Sequence, residues 1–346
     1  MIREDICDLA AYHVADATGM IKLDAMENPY ALPSSLDGAW CEAMKSVAIN
    51  RYPDAEMYGL RAKIAKQEGI DADQVLIGNG SDEIIQMLIM AASPGACVSP
   101  SPSFVMYEMV SKWLHRPFVA VPLQDDFTLN GDAFLQACRE NQASLAFLPC
   151  PNNPTGNLWD EAEIQTIADG FSGLLIIDEA YLPFAGRTHT QMISSNVMVM
   201  RTFSKLGWAG LRLGYLMGDV SVIAELNKVR LPYNINSLTQ AAANLLLDHA
   251  DLFSAQTDEI CRERGRVMAL LEKNTKLQLF PSDANFILMR LLQHDAITVF
   301  QALKERKILI KCFAQTTGAL ANCLRVTIGT YEENEVFMKA LGEVMQ

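Results

Sequence analysis

Side chains that could do chemistry occur in four short segments through the middle of the chain. The segments are 153–156 (Asn-Pro-Thr-Gly), 178–181 (Asp-Glu-Ala-Tyr), 204–205 (Ser-Lys) and 210–214 (Gly-Leu-Arg-Leu-Gly). Each alone has a plainer interpretation, as a turn, a helix cap, a surface lysine or half of an ion pair. Together they supply an amide, a carboxylate, a phenol, an amine and a guanidinium, which could bind a small molecule and move a proton on it.

Short apolar runs precede these segments and predict the strands that must position them. Between residues 75 and 218 such runs alternate with helix-like patterns, which is typical of βαβ units and a mostly parallel sheet with helices on both faces. In open α/β sheets ligands bind beyond the carboxyl ends of the strands, where the four segments lie. The predicted strands cover residues 74–77, 96–99, 144–148, 174–178, 197–201 and 213–217.

Three helix starts are predicted from polar residues that can cap them. Ser81 is placed to cap a helix that runs to residue 88. Asp160 with Glu163, and Thr330 with Glu333, have the spacing of capping boxes.

The pattern changes after residue 237 and predicts a smaller α+β domain. Long helices are expected over 238–253 and 256–274. The run 323–328 alternates, so Arg325 lies on the face opposite the aliphatic residues of that strand. We expect a large domain over 30–237 and a small domain made of 1–29 and 238–346.

The combination of residue types suits pyridoxal phosphate. This cofactor needs an amine for its aldehyde, an anion for its pyridine nitrogen, donors for its phenolate oxygen, and cations or amides for its phosphate. The four segments supply a lysine, a carboxylate, a tyrosine, an asparagine and an arginine, so all four needs are met. The sequence therefore predicts a pyridoxal phosphate site and no metal site.

Over essentially its full length the chain resembles the fold type I pyridoxal-phosphate aminotransferases, and within them it is most similar to the histidinol-phosphate aminotransferases. The four segments above carry the wider resemblance. The closer one rests on residues 23–30, 51–54, 78–83, 228–234 and 323–330. The resemblance implies an α/β fold type I architecture, with a large domain around the parallel sheet and a smaller α+β domain, in a homodimer.

The resemblance also implies a role for each residue around the cofactor ring. Lys205 would attach to the cofactor aldehyde and later move the substrate Cα proton, which requires a lowered amine pKa. Asp178 would pair with the pyridine nitrogen. Asn153 and Tyr181 would hydrogen-bond the phenolate oxygen, and Phe104 would stack on the ring.

The groups that the resemblance assigns to the cofactor phosphate lie at a helix N-terminus and around the lysine. A helix N-terminus favours an anion through its unpaired N–H groups and its dipole. The residues are Gly80, Ser81, Asp82, Thr202, Ser204 and Arg212. Tyr52 would reach the phosphate bound by the partner subunit, so each site would need both subunits.

Substrate recognition is assigned by resemblance to Arg325, Lys311, Tyr12 and Asn153. Arg325 would hold the anionic end of the substrate, a carboxylate or a phosphate. Lys311 stands where the family usually has arginine, which keeps the charge but loses the planar fork that grips a phosphate. Met26 replaces a common asparagine. Both departures affect the substrate side of the site.

Composition excludes several other classes of function. Acidic residues outnumber basic ones by 41 to 28, for a net charge of −13, and no basic cluster offers a nucleic-acid surface. The eight cysteines form no CxxC pair, which disfavours a zinc site and a disulfide framework. No secretory signal and no apolar run of about 20 residues is seen. We expect a cytoplasmic protein that binds neither nucleic acid nor a membrane.

The function implied is transfer of an amino group between histidinol phosphate and 2-oxoglutarate, giving imidazole acetol phosphate and glutamate in histidine biosynthesis. Two alternatives keep the cofactor: an aromatic or broad-specificity amino acid aminotransferase, and a threonine-phosphate decarboxylase. A third, a regulator that binds the cofactor without turnover, would carry a basic DNA-binding domain, which this chain does not show.

Overall fold

Two main sheets form the framework of the computed structural model, which describes residues 1–11, 13–313 and 318–346. The strands are β1 (Ile21–Lys22), β2 (Val75–Gly78), β3 (Ala96–Ser101), β4 (Phe118–Pro122), β5 (Ala143–Pro149), β6 (Leu174–Asp178), β7 (Val197–Thr202), β8 (Gly214–Met217), β9 (Leu277–Leu279), β10 (Phe286–Leu291), β11 (Ile308–Leu309), β12 (Lys311–Cys312) and β13 (Cys323–Thr327). The α-helices are α1 (Glu4–Cys7), α2 (Asp37–Lys45), α3 (Tyr58–Glu68), α4 (Gly80–Ala91), α5 (Met106–Trp113), α6 (Gly131–Glu140), α7 (Glu161–Gly170), α8 (Leu182–Ala185), α9 (Val220–Asn227), α10 (Ser237–Leu247), α11 (Ala250–Leu271), α12 (Ala296–Glu305) and α13 (Tyr331–Val344).

The larger sheet has seven strands in the order β2-β8-β7-β6-β5-β3-β4. Strands β3 to β7 pair in parallel, whereas β8 runs antiparallel to both of its neighbours. The central strands β5, β6 and β7 are almost wholly buried, because apolar cores with helices lie on both faces of the sheet. This confirms the predicted α/β class with a mostly parallel central sheet.

All six predicted strands form, but β4 was not predicted. Only Val121 of its five residues is buried, and β4 pairs with β3 alone at the edge of the sheet. An edge strand with one buried residue lacks the continuous apolar run by which the central strands are recognised.

One of the three predicted helix starts is corrected, and one of the two predicted capping boxes does not form. Ser81 does not cap α4: the helix begins one residue earlier at Gly80, and the Glu83 carboxylate accepts a 2.6 Å hydrogen bond from the Asn79 N–H. Asp160 caps α7 as expected, but the Glu163 carboxylate turns away to accept a bond from the N–H of Gly131. A competing tertiary donor thus replaced the capping box.

The capping box of Thr330 and Glu333 is confirmed at the start of α13. The predicted break between the two long helices is misplaced by several residues. α10 ends at Leu247 because side chains of α3 take its last carbonyls: Lys63 donates to the carbonyl of Asn244 at 2.7 Å, and Gln67 to that of Leu247 at 3.1 Å.

The smaller sheet is antiparallel, in the order β12-β13-β10-β9. Leu324 and Val326 of β13 pack into an apolar core under this sheet, whereas Arg325 lines a cavity. The N-terminal β1 pairs in parallel with β11, so the start of the chain packs with its C-terminal part. The domain boundaries at 29/30 and 237/238 stay a prediction.

Within the three described ranges, no helix combines the length and the apolar character that a bilayer crossing would require.

Candidate active site

A cavity of about 230 Å³ opens where β5, β6 and β7 end, and we call it the inner cavity. Each strand contributes its last residue to the wall: Pro149, Asp178 and Thr202. The other lining residues are Ala25, Met26, Glu27, Ser81, Asp82, Phe104, Tyr107, Pro151, Asn153, Ala180, Tyr181, Ser204, Lys205, Ala209 and Arg212. Ten residues predicted from the sequence therefore meet in one cavity.

Asp178 is a buried carboxylate with two hydrogen-bond donors. The Tyr107 hydroxyl donates to Oδ2 at 2.6 Å, and the N–H of Ala180 donates to Oδ1 at 3.0 Å. Burial raises the pKa of Asp178 to about 6, although the Tyr107 hydrogen bond acts in the opposite direction. No Lys, Arg or His nitrogen of the described residues lies within 4 Å of this carboxylate. The site thus holds an anion ready to accept a cationic partner.

Lys205 approaches the same cavity from the short 3₁₀ turn that follows β7. Its Nζ donates to the Ala25 carbonyl at 3.3 Å and lies 5.7 Å from the centre of the Tyr181 ring. Burial, together with the positive charge of Arg325, lowers the pKa of Lys205 to about 8. A substantial share of the amine is therefore neutral and nucleophilic near neutral pH.

A chain of hydrogen bonds links the Tyr181 hydroxyl to the Arg325 guanidinium through Asn153. The Asn153 amide donates to the Tyr181 hydroxyl oxygen at 3.0 Å, and Arg325 donates to the Asn153 carbonyl oxygen. Arg325 also donates to the backbone carbonyl of Asp24 at 3.0 Å. Burial raises the pKa of Tyr181, so its hydroxyl stays protonated and able to donate.

The opposite end of the inner cavity has the features of an anion site. The N-terminus of α4 begins at Gly80, whose φ of +75° favours glycine. A Cβ there would lie 2.8 Å from an Arg212 nitrogen, so the missing side chain lets the guanidinium approach the helix. Arg212 pairs with Asp82 at 3.0 Å, and the Thr202 hydroxyl donates to that of Ser204 at 2.9 Å. These donors suit a phosphate group.

A second cavity of about 390 Å³, the outer cavity, adjoins the inner one through shared lining residues Met26, Phe104 and Asn153. Three predicted substrate residues line it: Lys311, Arg325 and the shared Asn153. Its other lining residues are Ser99, Pro100, Ser101, Pro102, Ser103, Val105, Glu108, Phe118, Ala120, Pro154, Phe313 and Leu320. Lys311 is exposed whereas Arg325 is buried.

Of the predicted site residues that the structure describes, Gly80 and Tyr52 line neither cavity. Tyr52 is 81% exposed and stacks on Tyr233, with ring centres 4.5 Å apart. Tyr12 lies outside the described residues. Phe104 lines both cavities and meets the Tyr107 ring edge-on at 5.6 Å, so the stacking role assigned to it stays a prediction.

Sequence reasoning missed two features around Asp178. Tyr107 lies at helical spacing among apolar residues and therefore looks like core filling, although its hydroxyl reaches the acid. Glu179 is buried and accepts hydrogen bonds from the N–H of His189 at 2.5 Å and from Arg201 at 2.9 Å. The signal that could have found Glu179 is a charged residue placed between a buried strand and a buried tyrosine.

The residues present fit pyridoxal phosphate. A buried carboxylate and a buried amine face one cavity, a phenol and an amide line its side, and a helix N-terminus with an arginine closes one end. This is the set of groups that the cofactor needs for its ring nitrogen, aldehyde, phenolate oxygen and phosphate.

The chain matches a known protein family and named relatives over almost its full length. The family model "Aminotransferase class I and II" matches residues 18–341. The chain is 46% identical to histidinol-phosphate aminotransferase 2 of Nitrosococcus oceani, over 98% of this chain and 96% of the relative. It is 45% identical to histidinol-phosphate aminotransferase 2 of Cupriavidus pinatubonensis, over 100% of this chain and 97% of the relative.

Solved structures show the same fold. The histidinol-phosphate aminotransferase of Sinorhizobium meliloti, in complex with pyridoxal-5'-phosphate, matches with a TM-score of 0.87 at 24% identity, over 99% of this chain and 97% of that one. The enzyme of Clostridium acetobutylicum matches with a TM-score of 0.86 at 23% identity, over 94% of this chain and 99% of that one.

Proposed function

Because the chain belongs to the aminotransferase class I and II family, we propose that it transfers an amino group between histidinol phosphate and 2-oxoglutarate. The products would be imidazole acetol phosphate and glutamate, in histidine biosynthesis. The observation that carries the proposal is the meeting of Lys205, Asp178 and Arg325 around two connected cavities, in a chain whose curated relatives carry that name over their full length.

The enzyme uses pyridoxal phosphate, the cofactor of this family. When bound, it supplies an aldehyde that captures the substrate amine and a ring that accepts the electrons left when the Cα proton departs. Asp178 would hold a positive charge on the ring nitrogen, because its carboxylate is buried and otherwise lacks a cation among the described side chains. The donors at the start of α4, with Arg212, would hold the phosphate.

Lys205 is the proton carrier of the reaction we propose. Its amine is neutral often enough to accept a proton from the substrate Cα and return it elsewhere, because burial and Arg325 lower its pKa to about 8. Tyr181 and Asn153 would orient the cofactor oxygen beside it, since their side chains are already hydrogen-bonded to each other at 3.0 Å.

Arg325 and Lys311 would bind the phosphate of the amino donor. Both line the outer cavity, one buried and one exposed. Arg325 is fixed by Asn153 and by the Asp24 carbonyl, so its guanidinium is held in place before substrate arrives. Lys311 adds charge without a second fork, which supports weaker orientation of the phosphate at that side.

We also propose that the enzyme works as a homodimer in the cytoplasm, with Tyr52 completing the partner's phosphate site. Supporting this, Tyr52 is largely exposed and lines neither cavity of its own chain, and the exposed Leu231 lies near its stacking partner Tyr233 in sequence. Mixed dimers of Lys205→Ala and Tyr52→Ala subunits test it. If Tyr52 acts across the interface, the mixture regains activity that neither variant has alone; without any regain, the proposal is wrong.

The substrate is tested by half-reactions of the purified enzyme with histidinol phosphate, phenylalanine and glutamate at equal concentration. We expect histidinol phosphate and glutamate to convert the cofactor to its amine form, seen as loss of its visible absorbance, and phenylalanine to react more slowly. Reaction with glutamate but not with histidinol phosphate would show that the enzyme is an aminotransferase with a different amino donor. Carbon dioxide released from threonine phosphate without a keto acid would make it a decarboxylase.

A further inference from the structure

Tyr107 is a buried hydroxyl that the functions above do not use. It lies on α5, is fully buried, and stacks on Phe147 of β5, with ring centres 4.4 Å apart and ring planes 9° from parallel. Its hydroxyl donates to Asp178 Oδ2 at 2.6 Å. Burial and stacking on Phe147 therefore restrict the direction of this hydrogen bond.

We propose that Tyr107 is a positioning residue that keeps Asp178 ionised and aimed at the ring nitrogen of the cofactor. The inference rests on the proposed pyridoxal phosphate chemistry, but not on the identity of the amino donor.

The Tyr107 hydroxyl and the Ala180 N–H donate to different oxygens of the Asp178 carboxylate. Tyr107 occupies a position on Oδ2 and the Ala180 N–H one on Oδ1, at 2.6 and 3.0 Å. Each carboxylate oxygen can accept more than one hydrogen bond, so a lone pair remains for a cation in the cavity. With both oxygens held, the carboxylate cannot rotate away from that direction without breaking a bond.

The hydroxyl also opposes the tendency of this acid to become neutral. Burial favours the protonated carboxyl, as do the negative charges of Asp82 on α4 and Glu179 next in the chain. Tyr107 and the Ala180 N–H are the groups that favour the carboxylate. A neutral Asp178 could not hold a positive charge on the pyridine nitrogen, and the ring would then accept electrons less well.

Tyr107 remains a donor throughout. Burial and the neighbouring Asp178 charge raise its own pKa well above the ordinary value, so the hydroxyl keeps its proton. Its ring also meets Phe104 edge-on, which connects the acid on one side of the inner cavity to the aromatic residue predicted to stack on the cofactor. A substitution that keeps the ring would preserve both packing contacts.

The test uses Tyr107→Phe, which keeps the ring and removes the hydroxyl. Ser111→Ala is the matched control: Ser111 is buried one turn along the same helix, and its hydroxyl donates to the Tyr107 carbonyl at 2.7 Å without reaching Asp178. The dissociation constant of pyridoxal phosphate and the ¹⁵N chemical shift of its labelled ring nitrogen are measured in both variants and in the wild type.

We expect Tyr107→Phe to weaken cofactor binding by roughly tenfold to a hundredfold, as for loss of one hydrogen bond to a charged group. Its ¹⁵N shift should move towards the neutral pyridine value, whereas Ser111→Ala should leave the shift unchanged. Wild-type ¹⁵N position and affinity retained in a folded Tyr107→Phe would overturn the proposal, as would equal changes in both variants. Failure of the wild type itself to bind the cofactor through Lys205 would instead overturn the proposed function.

Discussion

The inner and outer cavities share three residues, but a charged group of the inner cavity, Asp178, is held more firmly than one of the outer cavity, Lys311. In the inner cavity Asp178 is buried and has both oxygens hydrogen-bonded, and it comes directly from the end of a central strand. In the outer cavity Lys311 is exposed on a two-residue strand at the edge of the smaller sheet. Asp178 is therefore fixed inside the protein, whereas Lys311 is accessible to solvent.

The comparison shows why loss of an inner group should matter most. Asp178 acts in a buried, low-dielectric site, whereas the exposed Lys311 shares the outer cavity with Arg325 and with water.

The largest effect is expected for Lys205→Ala. The variant loses the only lysine that lines the inner cavity among the described residues, so turnover should fall by roughly 10⁴-fold or more. Steady-state assays with histidinol phosphate measure this. Lys311→Ala is the control, since it removes a lysine from the outer cavity alone. A similar fall in both variants would contradict the distinction between the cavities.

The next largest effect is expected for Arg325→Gln. Removing a buried cation that contacts Asn153 should raise the KM for histidinol phosphate by about 100-fold, because a charge-assisted, oriented contact with the phosphate is lost. Cofactor affinity should change much less. A loss of cofactor binding as large as the change in KM would mean that the two cavities act as one.

A pH effect of about tenfold is expected for the attachment of the cofactor to the cofactor-free protein. The neutral form of Lys205 is the reactive one, and its pKa is lowered to about 8, so the attachment rate should rise between pH 7 and pH 9 and then level off. Stopped-flow absorbance gives the rate at each pH. A rate that still climbed in proportion to hydroxide between pH 8 and pH 10 would show that the amine has an ordinary pKa, near 10.5.

The smallest effect is expected for Lys311→Arg. Restoring the planar fork should lower the KM for histidinol phosphate by a few-fold and leave phenylalanine turnover unchanged, because only the phosphate-bearing substrate uses it. Lys311→Gln should change the same KM in the opposite direction. Equal changes in the kinetics of both substrates would show that Lys311 does not recognise the phosphate.

A similar difference, between buried central strands and the exposed edge strand, explains how much of the fold the sequence could predict. Central strands such as β6 were located because an unbroken apolar run ending in Asp178 has few other interpretations. The edge strand β4 was missed because Val121 is its only buried residue. Ten residues named from the family resemblance line the inner cavity. Their positions could be predicted because strand ends and the short turns after them leave the backbone little conformational freedom.

Side-chain partners were harder to predict than positions. Glu163 was expected to complete a capping box, yet the backbone N–H of Gly131, 32 positions earlier, competes for it successfully. Tyr107 was missed because its spacing matches that of a core residue, and only the tertiary fold shows its hydroxyl at Asp178. Such contacts join residues far apart in sequence, for which local patterns carry no signal.

The most direct test of the central claim is to reduce the pyridoxal-phosphate-loaded enzyme with borohydride, digest it and find the labelled peptide by mass spectrometry. The account predicts that the pyridoxyl group is on Lys205, and that Asp178→Asn reduces the affinity for the cofactor while the label stays on the same lysine. A label on any other lysine, or no label in enzyme that turns over histidinol phosphate, would contradict it.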